Sequence, residues 1–408
     1  MKTKLVLIAL TLFLVFAACT NNLTNPTIAV PIAIGTPADG AVLTDPQNIT
    51  ALSGQGYIFT RVDFYIDSLL VGSDSTLSFQ YYFNIFNFNS GSSHSIYVMG
   101  FTSDSSYASQ LIHVTIQYDH GFSYISTYRP GSQHAVGVTN YYNALFISTG
   151  DAGLEVLDIT NKSRPTFRSR LDTPGQALHS AIEYPFVYIA DRDQGVTMAN
   201  FSNVDSLIYL HRYISQSLTK DVAVSDNYIL AVENDGLSIL AQVNLQPYSR
   251  RIFQDILNYV VTRHDTAYVV GDNGFYIIDC TDPVSSTLVG SYNNLGQGKG
   301  AAIADTFAFI ANGSDGVIVL SIAHPANPRF LARFNPGQNM TTVTAGTGFL
   351  FAGSYSNMVY ALDYTSQPGT IQIVDSFNAG NLVEEITFNS YHLYVAANTD
   401  IEILRFVP

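Results

Sequence analysis

A chain built of β-strands follows from three observations on these 408 residues. Short runs of β-branched and aromatic residues alternate with Gly, Asp, Asn and Pro punctuation, as strands and tight turns require. A six-residue phrase recurs in the second part of the chain: Gly-Leu-Glu-Val-Leu-Asp from Gly153, Gly-Val-Thr-Met-Ala-Asn from Gly195, Gly-Leu-Ser-Ile-Leu-Ala from Gly236, Gly-Phe-Tyr-Ile-Ile-Asp from Gly274 and Gly-Val-Ile-Val-Leu-Ser from Gly316. Degenerate copies begin at Met358 and Asp400, and the seven anchors are spaced by 42, 41, 38, 42, 42 and 42 residues. A period of this size in a strand-rich chain marks a β-propeller with one four-stranded sheet per repeat. The expected fold class is therefore all-β: a seven-bladed β-propeller over 119–408, preceded by a β-sandwich over 31–118.

Each repeat carries four strand signals. In the fourth copy they are Asn258–Thr262, Thr266–Val270, Phe275–Ile278 and Thr287–Tyr292, with the turn Asp279-Cys-Thr-Asp-Pro283 between the last two. Pro283, Pro325 and Pro328 fall between third and fourth strands, where no ladder donor is needed. Two residues before each anchor stand Asp151, Asp193, Asn234, Asp272, Ser314, Ser356 and Asn398, small side chains that bond back to their own backbone in a hairpin. One such sheet cannot bury both faces alone, so the ring must close. The last repeat has only three strands before the chain stops at Pro408. Phe122-Ser-Tyr-Ile-Ser-Thr-Tyr-Arg-Pro130 reads like the outer strand Arg329–Pro336, so 122–130 is expected to supply the missing outer strand.

These repeats resemble the LVIVD family over about 134–408, most clearly at Leu154–Asp158 and Tyr276–Asp279 with the following Asp282-Pro283. With no tryptophan in the chain, tryptophan-based WD-type repeats are excluded. The resemblance implies a bacterial surface propeller with no catalytic residues to carry over. The preceding segment has strand signals about every ten residues, as sandwiches do. Through Pro37–Leu43, Val62–Asp67 with Gly72, and Gly91–Tyr97 it resembles bacterial Ig-like domains, which implies a stalk.

Met1-Lys-Thr-Lys precedes an apolar run, Leu5–Ala18, too short to span a bilayer, so 1–18 reads as a secretory signal peptide. Phe16-Ala-Ala-Cys19 resembles a lipobox, which implies lipidation at Cys19, a tether over 19–30 and, through Thr20, placement in the outer membrane or on the cell surface. Only Cys280 then remains as a thiol, so no intrachain disulfide forms; it reads as a small packed residue. The net charge is −14, and this acidic, Tyr- and Phe-rich composition turns phosphate backbones away. Nucleic acid is not an expected partner; an unknown envelope protein or glycan is, with the membrane reached through the lipid.

No phosphate loop, zinc pattern, nucleophile elbow or dinucleotide fingerprint is present, and neither cofactor nor metal is expected. Asp191-Arg-Asp-Gln-Gly195 lacks the third acid and bidentate glutamate of a calcium loop and reads as turn chemistry. Sixteen residues before the anchors stand His179, Lys220, Asn258, Gly300, Thr342 and Glu384. Allowing an insertion of about three residues, His134 is their equivalent in the first repeat. This column opens the innermost strand and so is expected to ring one mouth of the central channel, a default place for a ligand. Strand starts also meet water and are polar for that reason alone. A second candidate is the loop Asn140-Tyr-Tyr-Asn143, whose Tyr141 and Tyr142 suit a protein or glycan contact. The reading that needs no hidden chemistry is a surface-anchored, non-catalytic binding or scaffold protein. The rival is an extracellular propeller lyase or hydrolase using His134, His179 and Glu384, and a third is a structural part of an envelope assembly. Fold alone does not choose among them.

Overall fold

A computed structural model of the protein describes residues 30–346, 348–365 and 371–407. The expected signal peptide, Cys19 and nearly all of the tether lie outside them. The chain separates into two compact units, up to Asp119 and from His120 onward.

Among the described residues, the first unit holds two sheets. One is antiparallel, with Gln47–Ser53 between Ile32–Thr36 and Gln80–Phe83. The other runs in the order Ala41–Leu43, Ile112–Ile116, Ser93–Phe101, Arg61–Ile66, Leu69–Asp74, its first pair parallel. Alternation along the strands sends Ile49, Phe64, Ile96 and Val98 inward with Ile32 and Phe83, all essentially inaccessible.

In the second unit, among the described residues, the strands form seven four-stranded antiparallel sheets. Six are built from consecutive strands, beginning with Gly137–Tyr141, Ala144–Ser148, Leu154–Asp158 and Thr166–Leu171. The innermost strands are Gly137–Tyr141, His179–Glu183, Thr219–Val224, Leu257–Arg263, Gly300–Ala304, Met340–Ala345 and Glu385–Asn389. Each contacts the next, and the last returns to the first, so the succession closes on itself. This is a β-propeller. Its core lies between sheets rather than at one centre. Leu230, Val232, Leu237 and Ile239 of one sheet, for example, pack on Leu257, Val260, Val269 and Ile278 of the next. Each fully buried side chain of this size contributes about 1.5–3 kcal/mol. Cys280 is buried in the same layer, its thiol pushed up to about 11 by burial, and is a packing residue.

The recurring phrase has a local explanation at both ends. Gly153, Gly195 and Gly316 hold φ of +78°, +83° and +85°, and a Cβ there would lie 2.0–2.1 Å from a carbonyl oxygen of the fourth strand. Only glycine fits such a position without strain. At the other end the acid or amide caps the following turn. Asp158, Asn200, Asp279 and Asp363 accept the backbone N–H of Thr160, Ser202, Thr281 and Thr365 at 2.7–2.9 Å.

The seventh sheet is joined from both ends of the unit. Its inner three strands are Glu385–Asn389, His392–Ala397 and Asp400–Val407, and its outer strand is Gly121–Tyr128, antiparallel to Asp400–Val407. Phe122 packs on Phe351, Phe377 and Phe406. Arg129 makes a two-pronged ion pair with Asp400, at 2.6 and 2.9 Å, and Tyr128 donates to the buried Glu155 of the first sheet at 2.6 Å. Phe122→Ala is therefore expected to cost about 2 kcal/mol. Deleting 121–130, which also bares the edge of Asp400–Val407, should prevent cooperative folding. Thermal melts of both variants check this; a deletion variant that melts like the parent would show that the strand is not a clasp.

Candidate functional site at the channel mouth

Antiparallel order places the starts of the inner strands and the second-to-third hairpins on one face. The first-to-second hairpins and third-to-fourth turns share the opposite face. On the first face, register defines a ring directly. The residue two ladder steps from the one that follows each anchor (Leu154, Val196, Leu237, Phe275, Val317, Val359 and Ile401) is Gly137, His179, Asp221, Tyr259, Gly300, Thr342 and Glu385.

Three members of the expected column, His179, Gly300 and Thr342, belong to this ring. Lys220, Asn258 and Glu384 stand one residue before it. The cause is a hairpin one residue shorter in those three sheets. Val232 pairs Leu237, Val270 pairs Phe275 and Ala396 pairs Ile401, whereas Ala190 pairs Val196 six residues on. Counting back from the anchor then stops one residue early, and Lys220 and Asn258 fall in bulges. His134 is exposed in the loop before the first inner strand, three residues from the ring position Gly137. The insertion assumed for that repeat does not exist: Tyr141 pairs Ala144 just as Glu183 pairs Phe186. Gly137, Asp221, Tyr259 and Glu385 are thus the ring members that residue counting missed; Asp221 and Glu385 were legible only as neighbours of Lys220 and Glu384.

The ring is held by charge. Glu385 reaches across the first sheet, where Gly137 offers no side chain to obstruct it. Its Oε2 accepts the Val138 N–H at 2.6 Å, and its Oε1 lies 3.1 Å from His179 Nδ1. That nitrogen makes an ion-pair contact without hydrogen-bond alignment. Asp221 accepts the Val222 and Val260 N–H groups, both at 2.8 Å. Val138 and Val260 each follow a ring position, on a strand edge that has no further ladder partner, so the carboxylates satisfy otherwise orphaned donors. Tyr259 meets the imidazole edge-on, with centroids 6.2 Å apart. Burial works against a charge on His179, but Glu385, then Asp221 and Glu384, outweigh it and raise the imidazole to about 9. Burial lifts Asp221 to about 6 against the pull of His179 and its backbone donors. Glu384 is raised by burial, with His179 opposing. Beside the ring, Lys220 Nζ donates to Asn258 Oδ1 at 2.8 Å, and Asn258 Nδ2 donates to Asp272 and to the Gly298 carbonyl, both at 2.7 Å. Burial lowers the Lys220 ammonium while Asp272 opposes the fall.

Such a site holds protons and positions strands. Among the described residues, no group of three His, Cys, Asp or Glu side chains is placed to hold a metal ion. Asp191 is buried and accepts from Thr173, Thr197 and the Gly175 N–H, at 2.8–3.1 Å, as a turn residue does. Farther out on this face an open cleft of about 460 Å³ is lined by Asp151, Gln176, Arg192 and Leu218.

Tyr141 and Tyr142 lie on the opposite face. Tyr142 is 78% exposed, whereas Tyr141 is half-buried against Phe201 and Tyr184 of the next sheet.

LVIVD repeats match the chain at residues 134–173 and 262–294. No curated protein sequence matches it. Among solved structures the chain resembles the WD40 repeats of RRP9, with a TM-score of 0.58 at 12% identity over 70% of this chain and 97% of that one. It also resembles BamB from Moraxella catarrhalis, with a TM-score of 0.52 at 10% identity over 70% and 98% of the two chains. The computationally designed Ika8 protein scores 0.52 at 11% identity, over 71% and 100%. At these identities the likeness is one of fold, and it places this chain among the β-propellers.

The pH dependence of the ring has a definite sign. The folded pKa of His179 lies above the free value of 6.5, so its contribution is complete below about pH 6.5 and is lost as pH rises through 9. Glu385→Gln keeps an acceptor for Val138 but removes the charge. It should cost up to about 3 kcal/mol near pH 6 and progressively less toward pH 10. Denaturant melts across that range, with an NMR titration of His179, check both the size and the direction.

Proposed function

We propose that this protein is an exported, non-catalytic binding or scaffold protein, anchored through Cys19 in the outer membrane or on the cell surface. In this reading residues 31–118 form an Ig-like stalk, and 119–408 form a seven-bladed propeller that meets a protein or glycan partner. The closed succession of seven inner strands supports the blade number, and the paired sheets of residues 32–116 support the stalk. The observation that carries the binding reading is the internal satisfaction of the mouth. Asp221 and Glu385 are occupied by backbone N–H groups and His179, and Lys220 by Asn258. On the opposite face the exposed rings of Tyr142 and Tyr184 come from two sheets and share the contacts of Tyr141, whereas the mouth face bears Tyr355, exposed in a second-to-third hairpin.

A second reading, a lyase or hydrolase at the mouth, is favoured by one observation: a histidine and two carboxylates converge beside Tyr259, with the imidazole raised to about 9 and Asp221 to about 6. A carboxyl raised toward neutral pH beside a protonated imidazole is a pairing that acid–base chemistry uses.

Photocrosslinking residues placed at position 142 and at position 176 in intact cells separate the two faces. Partner adducts are expected from 142. Adducts from 176 alone, together with turnover abolished by His179→Ala, would establish the mouth as the working site. For the anchor, Cys19→Ala should abolish incorporation of labelled palmitate and move the protein from the membrane to the soluble fraction; continued labelling would remove Cys19 as the lipid site.

A further inference from the structure

Resting on the binding reading, we propose that the hairpin face opposite the ring binds an extended, uncharged oligosaccharide. Two features on that face carry the inference, and they are joined.

The first is an aromatic platform shared by two sheets. The rings of Tyr141 and Tyr184 lie within 4° of parallel with centroids 6.2 Å apart, and Tyr142 stands at 84° to Tyr141 at 4.8 Å. Phe201 braces both Tyr141 and Tyr184 from beneath, at 5.4 and 5.6 Å, and is itself held by Phe146 at 5.0 Å. Yet Tyr142 remains 78% and Tyr184 56% exposed. Flat rings fixed in place before binding lose little entropy on contact. Their negative faces attract the polarised C–H groups on one side of a pyranose.

The second is an open cleft of about 510 Å³, within the range of about 300–1,000 Å³ typical of ligand sites. Its lining includes Tyr364, Phe388, Asp305, Asn389 and Ser390. Asn389 at the cleft edge donates to Asn140, whose own amide donates to the Tyr142 and Ala144 carbonyls at 3.2 and 3.3 Å. The Asn389–Asn140 hydrogen bond thus links the cleft edge to the loop that carries Tyr142, on the same face.

Two points select the occupant. Exposed aromatic surfaces stand on the same face as the exposed Asn143 and Ser390, which suits a polymer bearing both C–H faces and hydroxyls. The net charge of −14, with Asp305 in the cleft and Glu183 beside Tyr184, repels anionic polymers and leaves a neutral one.

The test is affinity electrophoresis of the full chain through gels containing laminarin, galactomannan, dextran or pullulan. At least one should retard the protein. Tyr142→Ala and Tyr184→Ala should each weaken retardation about tenfold, and Ser390→Arg, which fills the cleft, should abolish it. Melting temperatures must stay close to the parent's, and a hexasaccharide should compete better than a disaccharide of the same sugar. Retardation unaffected by all three variants would overturn the location. No retardation by any of the polymers would overturn the carbohydrate assignment; protein adducts from position 142 would then leave the binding reading standing, and their absence would remove that reading as well.

Discussion

The structure of the second unit depends on one constraint: a four-stranded sheet that is apolar on both faces has nowhere to put them except against two neighbours. The third strands show it most plainly. Leu154–Leu157, Val196–Ala199 and Val317–Leu320 are buried at every position, with no alternation between a wet and a dry side. Each sheet thus supplies half of two cores, and a row of them with free ends would expose two apolar faces. Closure removes both. The strand Gly121–Tyr128 makes that closure covalently economical, because it ties residues some 280 positions apart into one ladder. Phe122, Arg129 and Tyr128 extend the tie into the packing, the ion pairs and the buried Glu155 of the first sheet.

The same constraint governs the channel. Inner strands present one edge to the axis, and their N–H groups there have no further strand to bond. Asp221 and Glu385 each reach one sheet onward to the N–H that follows a ring position, and Thr139 and Thr262 tie carbonyls of neighbouring inner strands at 2.7 and 2.6 Å. The buried charges at the mouth are in this sense part of the strand ladder. His179 is needed because two carboxylates so placed would otherwise stand uncompensated in a poorly hydrated ring. A ring that works structurally can still bind, but its groups begin already engaged, and a ligand there would have to displace protein partners.

How far this was legible in the sequence varies with the physics behind each signal. Repeat spacing and fold class were visible because the constraints are local and absolute. A positive φ under a crossing carbonyl admits glycine at Gly195, and a turn lacking its donor's partner wants Asp or Asn at Asp158, Asn200 and Asp279. The mouth was legible only to within one residue. Hairpin length is set by two or three turn residues that leave little mark on composition, and a one-residue change there turns Asp221 into Lys220 and Tyr259 into Asn258 in any count from the anchor. Gly137, sixteen residues before Gly153, was passed over because the first repeat was given an insertion that its hairpin does not have; the glycine's lack of a side chain is what lets Glu385 cross to His179.

Tyr184 was invisible for a further reason. It belongs to the hairpin of the second sheet, 42 residues from Tyr142, and only the packing of that sheet on the first sets its ring beside Tyr141 over Phe201. Neither face of the propeller is functional by virtue of any one repeat. At the mouth, charges from three sheets neutralise one another; on the hairpin face, aromatic rings from two sheets are held rigid and left open. The difference between the faces is one of free capacity. Buried ionic groups that satisfy each other have little interaction energy left to offer a partner, while rings braced from below and bare above retain nearly all of theirs. That asymmetry argues for recognition on the hairpin face, with the charged ring serving to hold the strands that carry it.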